Sequence, residues 1–319
     1  MEQITVSNFN DRDLQRSMAQ AQTDYIKHLG MYAQSTIAEM QDGFTLEGIR
    51  LPWSKTHEDI RLPTKYISIL AGSSGQKKTA ISTMQILHTS QYHKVGFASF
   101  EMRVNYLMRM MAAMINGVQT EDVTQKAVAD FGRYATDRIY CYDQIGDIPV
   151  MRVLGAVEAM GQMGCKLVVV DSLMFVDLFA KNAQEEYAKQ RDFVSALSGL
   201  AAIHDMHIML VAHSRKPGDN YESTQKHAVR GSSSITDVAA VVMMCQQDEK
   251  KQALKQSIEK YGYELTPDEQ KYCDTTPCQR LIVRKNRFNA FQGSIGLYQH
   301  SRSRQLLGDR SDKGMHFEF

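Results

Sequence analysis

The stretch Gly72-Ser73-Ser74-Gly75-Gln76-Lys77-Lys78-Thr79 carries the residue types that grip a chain of phosphates. Glycines let a turn bring its backbone N–H groups close to an anion, and a helix starting behind the turn adds the positive end of its dipole. In such a turn Lys78 reaches the outer phosphates of a nucleoside triphosphate and the Thr79 hydroxyl ligates Mg²⁺. The pattern expects glycine immediately before its lysine, and this chain has Lys77 there. If the turn demands a positive φ at that residue, a side chain costs about 1–2 kcal/mol. Lys77 therefore either weakens nucleotide binding or points outward without harm.

Three further residues stand where they can work with that turn. Leu167-Val168-Val169-Val170-Asp171 is an apolar run ending in a carboxylate, which by itself can merely cap a following turn but beside the phosphate-binding turn is the way a second Mg²⁺-shell group is presented. Glu101 follows the apolar run Val95–Phe100, where it can orient and deprotonate an attacking water or serve as a helix-initiating acid favoured by the macrodipole. His213 ends the run His207–Ala212, where an imidazole can hydrogen-bond a γ-phosphate or remain a structural surface residue.

These groups meet only if the apolar runs are parallel strands whose C-terminal ends share one crevice. The sequence supports that arrangement. From Lys65 onward short apolar runs (YISILA, VGFASF, RIYCYD, KLVVVD, HIMLVA, VAAVVMMC) alternate with longer helical patterns, which predicts an α/β fold with a mostly parallel sheet covered by helices on both faces. Residues from about Asp11 to Met40 read as one or two amphipathic helices, and Gly43–Pro63 reads as linker entering a new domain. The expected division is a helical N-terminal segment over 1–50 and the core over 51–319. After Gln246 a charged stretch predicts a surface excursion, with an exposed helix in its first half and turns in its second. LIVRKNRF and GSIGLYQH then read as an antiparallel hairpin on the sheet's edge, turning at Asn289–Gln292.

Composition restricts the remaining possibilities. The 319 residues are 43% hydrophobic with a net charge of +1, so any nucleic-acid contact must come from local clusters of lysine and arginine. The odd set Cys141, Cys165, Cys245, Cys273 and Cys278 fits reduced thiols in a cytosolic setting, and the Cys273–Cys278 spacing has no second Cys/His pair to complete a zinc site. No apolar run reaches membrane-spanning length and the N-terminus has no signal-type apolar region, which predicts a soluble, unexported protein.

With those residues in hand, the chain from about Leu51 to Gly308 resembles the ring-forming replicative helicases of the DnaB family, with their RecA-like P-loop core, including the helicase half of phage primase–helicases and the mitochondrial helicase Twinkle. The order of motifs carries the resemblance: Leu51-Pro52-Trp53, the phosphate-binding turn, Phe97-Ala98-Ser99-Phe100-Glu101-Met102, Val211-Ala212-His213-Ser214-Arg215, Val229-Arg230-Gly231-Ser232-Ser233-Ser234-Ile235, and Arg284-Lys285-Asn286-Arg287. It implies ATP and Mg²⁺ as cofactors, Glu101 as catalytic base and His213 as γ-phosphate sensor. It also implies Arg287 as an arginine finger given to a neighbouring subunit, with Lys285 as its partner. By local chemistry alone both would be solvated hairpin charges.

An arginine acting on a neighbour makes hydrolysis depend on assembly, and a head-to-tail interface of that kind closes into a ring, a hexamer by the resemblance. Single-stranded DNA would thread the ring against loops holding Arg215, Lys216, Lys226 and Arg230, which otherwise form an ordinary basic surface. The resemblance further implies a primase, polymerase or single-strand-binding protein as partner, no membrane, and a cytoplasmic location, that of the host if the chain is phage-encoded. Only some fifty residues precede the core, which fits a linker helix and a helicase without fused primase. Two other functions satisfy the same residues: a RecA-like DNA-dependent ATPase that loads, remodels or recombines DNA without unwinding, and a non-hydrolysing nucleotide-dependent scaffold. The tail Asp312–Phe319 would be either a docking segment or a free end.

Overall fold

The computed structural model describes residues 29–34, 37, 48–214 and 233–317. The chain divides into two units, Met1–Thr45 and Leu46–Phe319. In the first, Leu29–Tyr32 forms a 3₁₀ turn. The second is an α/β domain built on a nine-stranded sheet.

Its early strands are the two-residue antiparallel pair β1 (Ile49–Arg50) and β2 (Arg61–Leu62). This stretch, which reads as linker in the sequence, is part of the packed domain, with Ile49, Leu51, Trp53, Ile60 and Leu62 all buried. The main sheet then takes β3 (Ile67–Gly72), β4 (Val95–Ser99), β5 (Ile139–Tyr142), β7 (Leu167–Asp171), β9 (His207–His213), β10 (Val241–Gln247), β11 (Gln279–Asn286), β12 (Ser294–Gln299) and β13 (Leu306–Leu307), while β6 (Ile148–Pro149) and β8 (Val176–Asp177) pair separately. Spatial order is β13-β12-β11-β10-β3-β9-β7-β4-β5. From β10 to β5 all neighbours are parallel, and from β10 to β13 all are antiparallel. The expected mostly parallel sheet with a C-terminal hairpin is thus borne out, with β13 as one further strand beyond the hairpin.

Eight helices are described in this unit: α1 (Lys78–Ser90), α2 (Val104–Ile115), α3 (Gln125–Ala135), α4 (Val150–Gln162), α5 (Ala183–Ile203), α6 (Ser233–Val238), α7 (Glu249–Tyr261) and α8 (Pro267–Thr275). The alternation of side chains along each strand divides them between two cores. Leu167, Val169, Met209, Val211, Val241 and Met243 face one cluster with Ile81, Met84 and Leu107 from α1 and α2. Val168, Val170, Ile208, Leu210, Val242 and Met244 face the other with Val153 and Val157 of α4 and Phe193 and Leu197 of α5. Strands covered on both faces need apolar residues at every position, which is why they read as continuous runs.

Two local expectations change. The run VAAVVMMC is a strand only from Val241, because its first residue, Val238, still belongs to α6. The second half of the charged stretch is helical, not turns. Thr266 accepts from Glu269 N–H, Glu269 accepts from Thr266 N–H, and Pro267 follows the cap, so the run Thr-Pro-Asp-Glu is a capping box that starts α8.

Candidate nucleotide site

Parallel register brings four strand ends side by side. Gly72 at the end of β3 pairs with His213 at the end of β9, and Asp171 at the end of β7 pairs with Val211 of β9 and Ser99 of β4. Glu101 lies just past β4. Ser74, Gly75, Gln76, Lys77, Lys78, Thr79, Glu101, Asp171 and His213 all line one cavity of about 330 Å³. Gly72 and Ser73 form the entry to the turn, with Ser73 Oγ 2.9 Å from Ser214 Oγ.

Within the turn the backbone is constrained. Gly75 has φ +80, and a Cβ on Gly72 would meet Cys245 O at 2.9 Å, so each glycine has a separate reason. Lys77, the N-cap of α1, has φ 57 and ψ 26, the left-handed conformation that glycine adopts without cost. The backbone is therefore in a conformation that costs a residue with a side chain, and the side chain lines the cavity, where its ammonium donates to Gln299 Oε1. Burial lowers the Lys77 pKa; the Cys278 thiol opposes the shift, and Lys255 and Lys251 add to it.

Lys78 is buried, and its ammonium donates to Gly72 O and Ser73 O, each at 2.9 Å. Two carbonyls of the loop thus hold the cation over the space enclosed by the turn. Thr79 Oγ1 donates to Asp171 Oδ2 at 3.1 Å. Burial pushes the Asp171 carboxyl up to about 6, Glu101 pushes the same way, and the Thr79 hydroxyl and Lys78 oppose it. Asp171 is only 7% exposed, so an oxygen-seeking divalent cation would relieve both the desolvation and the carboxylate repulsion. The hydroxyl–carboxylate pair fits Mg²⁺ in donor type.

Residues outside the motifs complete the site. Gln247, at the end of β10, donates its backbone N–H to Gln76 Oε1 and its Nε2 to Gly75 O, the latter at 2.8 Å, and Gln279 of β11 donates to Gln76 O at 3.2 Å. These two glutamines brace the turn from behind. Met102 and Met110 form an apolar part of the cavity lining, and Gln299 and Arg304 close its rim from β12 and the turn after it. Gln247 has a signal in the sequence, since it ends a strand parallel to β3. Met102 directly follows Glu101 in the run Phe97–Met102, whereas Gln279, Gln299 and Arg304 arrive on or beside antiparallel strands and Met110 on a helix face that no motif marks.

Lys285 and Arg287 do not join this cavity. Lys285 Nζ donates to Thr236 O at 2.8 Å and Asp237 O at 2.9 Å, and Arg287 also donates to Asp237 O, so both engage the carbonyl end of α6. Lys285 pairs with Val242 and Asn286 with Val241, which in turn pairs with Ser68. They therefore stand at the opposite end of β3 from the turn, about 13 Å away by strand rise. Arg215, Lys216, Lys226 and Arg230 lie outside the described residues, as does the rest of 229–232 in the same motif. All five cysteines are free thiols, and no group of three or more metal-ligating side chains occurs among the described residues. No helix among them is long and apolar enough to cross a membrane.

Comparison with solved structures bears out the RecA-like fold. An ATPase domain of known structure superposes with a TM-score of 0.69 at 11% identity, covering 88% of this chain and 99% of that one. A DnaB-like replicative helicase, from a structural description of its interactions with primase, gives a TM-score of 0.65 at 12% identity, covering 93% of this chain and 70% of that one. No curated protein matches the sequence. The family model described as AAA domain (AAA_25) matches residues 57–219, more than half of the 319, and that span includes the turn, Glu101, Asp171 and His213. On that match the chain belongs to the AAA_25 family of AAA domains.

Proposed function

We propose that this chain is an ATP-hydrolysing DNA helicase that translocates on single-stranded DNA as a ring of identical copies, in replication. The observation that carries this reading is the division of the chemistry across the sheet. The turn, Asp171, Glu101 and His213 share one cavity at one end, and Lys285 and Arg287 stand at the other. Residues that cannot reach their own site are suited to a neighbour's.

In this mechanism Lys78 exchanges its two loop carbonyls for phosphate oxygens, and the N–H groups at the start of α1 take the rest of the anionic chain. Thr79 and Asp171 hold Mg²⁺, which when bound neutralises charge on the phosphates. Glu101 takes the proton of the attacking water as its oxygen bonds to the γ-phosphorus and the bond to the ADP oxygen breaks. His213 hydrogen-bonds the γ-phosphoryl, and Arg287 with Lys285 of the adjacent copy meets the charge that develops there. The basic residues Arg215, Lys216, Lys226 and Arg230 contact DNA phosphates without reading sequence. A primase, polymerase or single-strand-binding protein is the expected partner, and the DnaB-like neighbour described with primase supports the first.

The test is steady-state ATP hydrolysis with and without single-stranded DNA, alongside displacement of a labelled strand from a forked duplex. DNA-stimulated turnover with strand displacement supports the helicase. Stimulated turnover without displacement moves the reading to an ATPase that loads, remodels or recombines DNA. ATP binding without turnover makes the chain a scaffold.

A further inference from the structure

Lys77 is the residue of the turn that departs from the glycine pattern, and its surroundings assign it a part. It lines the same cavity as Lys78 and Thr79. Its backbone sits in the left-handed region, which for a residue with a side chain costs about 1–2 kcal/mol and persists where something compensates. The ammonium has a neutral amide as partner, Gln299 Oε1, and makes no ion pair among the described residues. Gln299 is itself held in place, its Nε2 donating to Ser303 O at 2.7 Å. The titratable groups acting on Lys77 from the packed elements are Cys278, which favours its charged form, and Lys255 and Lys251 of α7, which disfavour it. A partly buried cation that lines the cavity beside the glycine-rich turn thus has a neutral amide, and no anion, as its partner among the described residues.

Resting on the nucleotide-site reading above, we infer that Lys77 is a second phosphate-binding lysine. When a nucleotide enters, its ammonium leaves Gln299 for an oxygen of the phosphate chain. An anionic phosphate oxygen is a stronger acceptor than an amide carbonyl, so the exchange runs toward the ligand. The positive φ then has a use: it lets an extra charged side chain stand beside the turn where the glycine pattern carries none.

Glycine substitution separates this role from the bland one, because the two make opposite predictions. Lys77→Gly removes the backbone strain and the cation together. Binding of Mg-ADP and Mg-ATP is measured by calorimetry on wild type, Lys77→Gly, Lys77→Arg and Lys78→Ala, with thermal melting of each to establish folding. Lys77→Gly is expected to bind both nucleotides about tenfold or more weaker, the loss that follows removal of a charge-assisted hydrogen bond, while melting no lower than wild type. Lys77→Arg is expected to retain most of the affinity. Affinity of Lys77→Gly equal to or above wild type overturns the inference and leaves the nucleotide site standing, provided Lys78→Ala still loses binding. A wild-type chain that binds neither nucleotide overturns both.

Discussion

Variants at the two ends of the sheet make a complementation test of the neighbour-supplied arginine. Arg287→Ala keeps an intact phosphate-binding turn but offers nothing to the next copy, and Lys78→Ala keeps Arg287 but cannot hold the phosphates. Because about 13 Å of strand separates the two ends of β3, one copy cannot combine its own Arg287 with its own Lys78. Each variant alone is expected to lose about 10³-fold or more in turnover, the size of an arginine-finger contribution. Mixed in equal amounts and allowed to co-assemble, half of the subunits carry a working turn and half of their neighbours carry a working arginine. About one quarter of the interfaces are then competent, whatever the number of copies in a closed ring. Hydrolysis by the mixture, measured by phosphate release across mixing ratios, should rise to about a quarter of wild type at equal parts and fall on either side. Co-assembled mixtures that stay at the level of their parents refute the neighbour arrangement, and so does Arg287→Ala with wild-type turnover.

Other positions give independent checks. His207, fully buried, donates from Nδ1 to Pro63 O at 2.7 Å and accepts at Nε2 from the Ser68 hydroxyl at 2.8 Å, and burial lowers its pKa from 6.5 to about 4. Because the folded state disfavours the charged ring, its stabilising effect is complete above about pH 6.5 and is lost as pH falls toward 4. The loss amounts to about 3 kcal/mol, and urea unfolding of wild type against His207→Asn across that window should find it reduced in the variant. Trp53 is 3% exposed and donates Nε1–H to Leu306 O at 2.6 Å, so Trp53→Ala should lower the free energy of unfolding by about 3–5 kcal/mol in denaturant titration. Gly72→Ala puts a methyl against Cys245 O at 2.9 Å and must shift the turn, so ADP affinity measured by calorimetry should fall at least as steeply as stability.

Most of the site's chemistry is legible along the chain because local rules govern it. The glycine-rich turn between an apolar run and a helical pattern specifies where phosphates can sit, and apolar runs covered on both faces specify parallel strands. Parallel strands all end on one side, so Asp171, Glu101 and His213 come together from their positions alone. The capping box at Thr266–Glu269 is equally local, yet its charged surroundings obscure it and make α8 read as turns. The same locality misleads over 48–63: prolines and charges read as linker, while Trp53 and Leu62 belong to the core.

What the sequence by itself determined is the identity and strand-end placement of the residues that would handle phosphate, because a turn, a helix start and a strand end are each set within a few residues. Only the tertiary structure decided what braces and closes the cavity. Gln279 and Gln299 reach Gln76 and Lys77 from far along the chain, through the antiparallel order β11-β12-β13. The same order carries Lys285 and Arg287 to the far end of the sheet, since an antiparallel strand that begins beside the turn must end away from it.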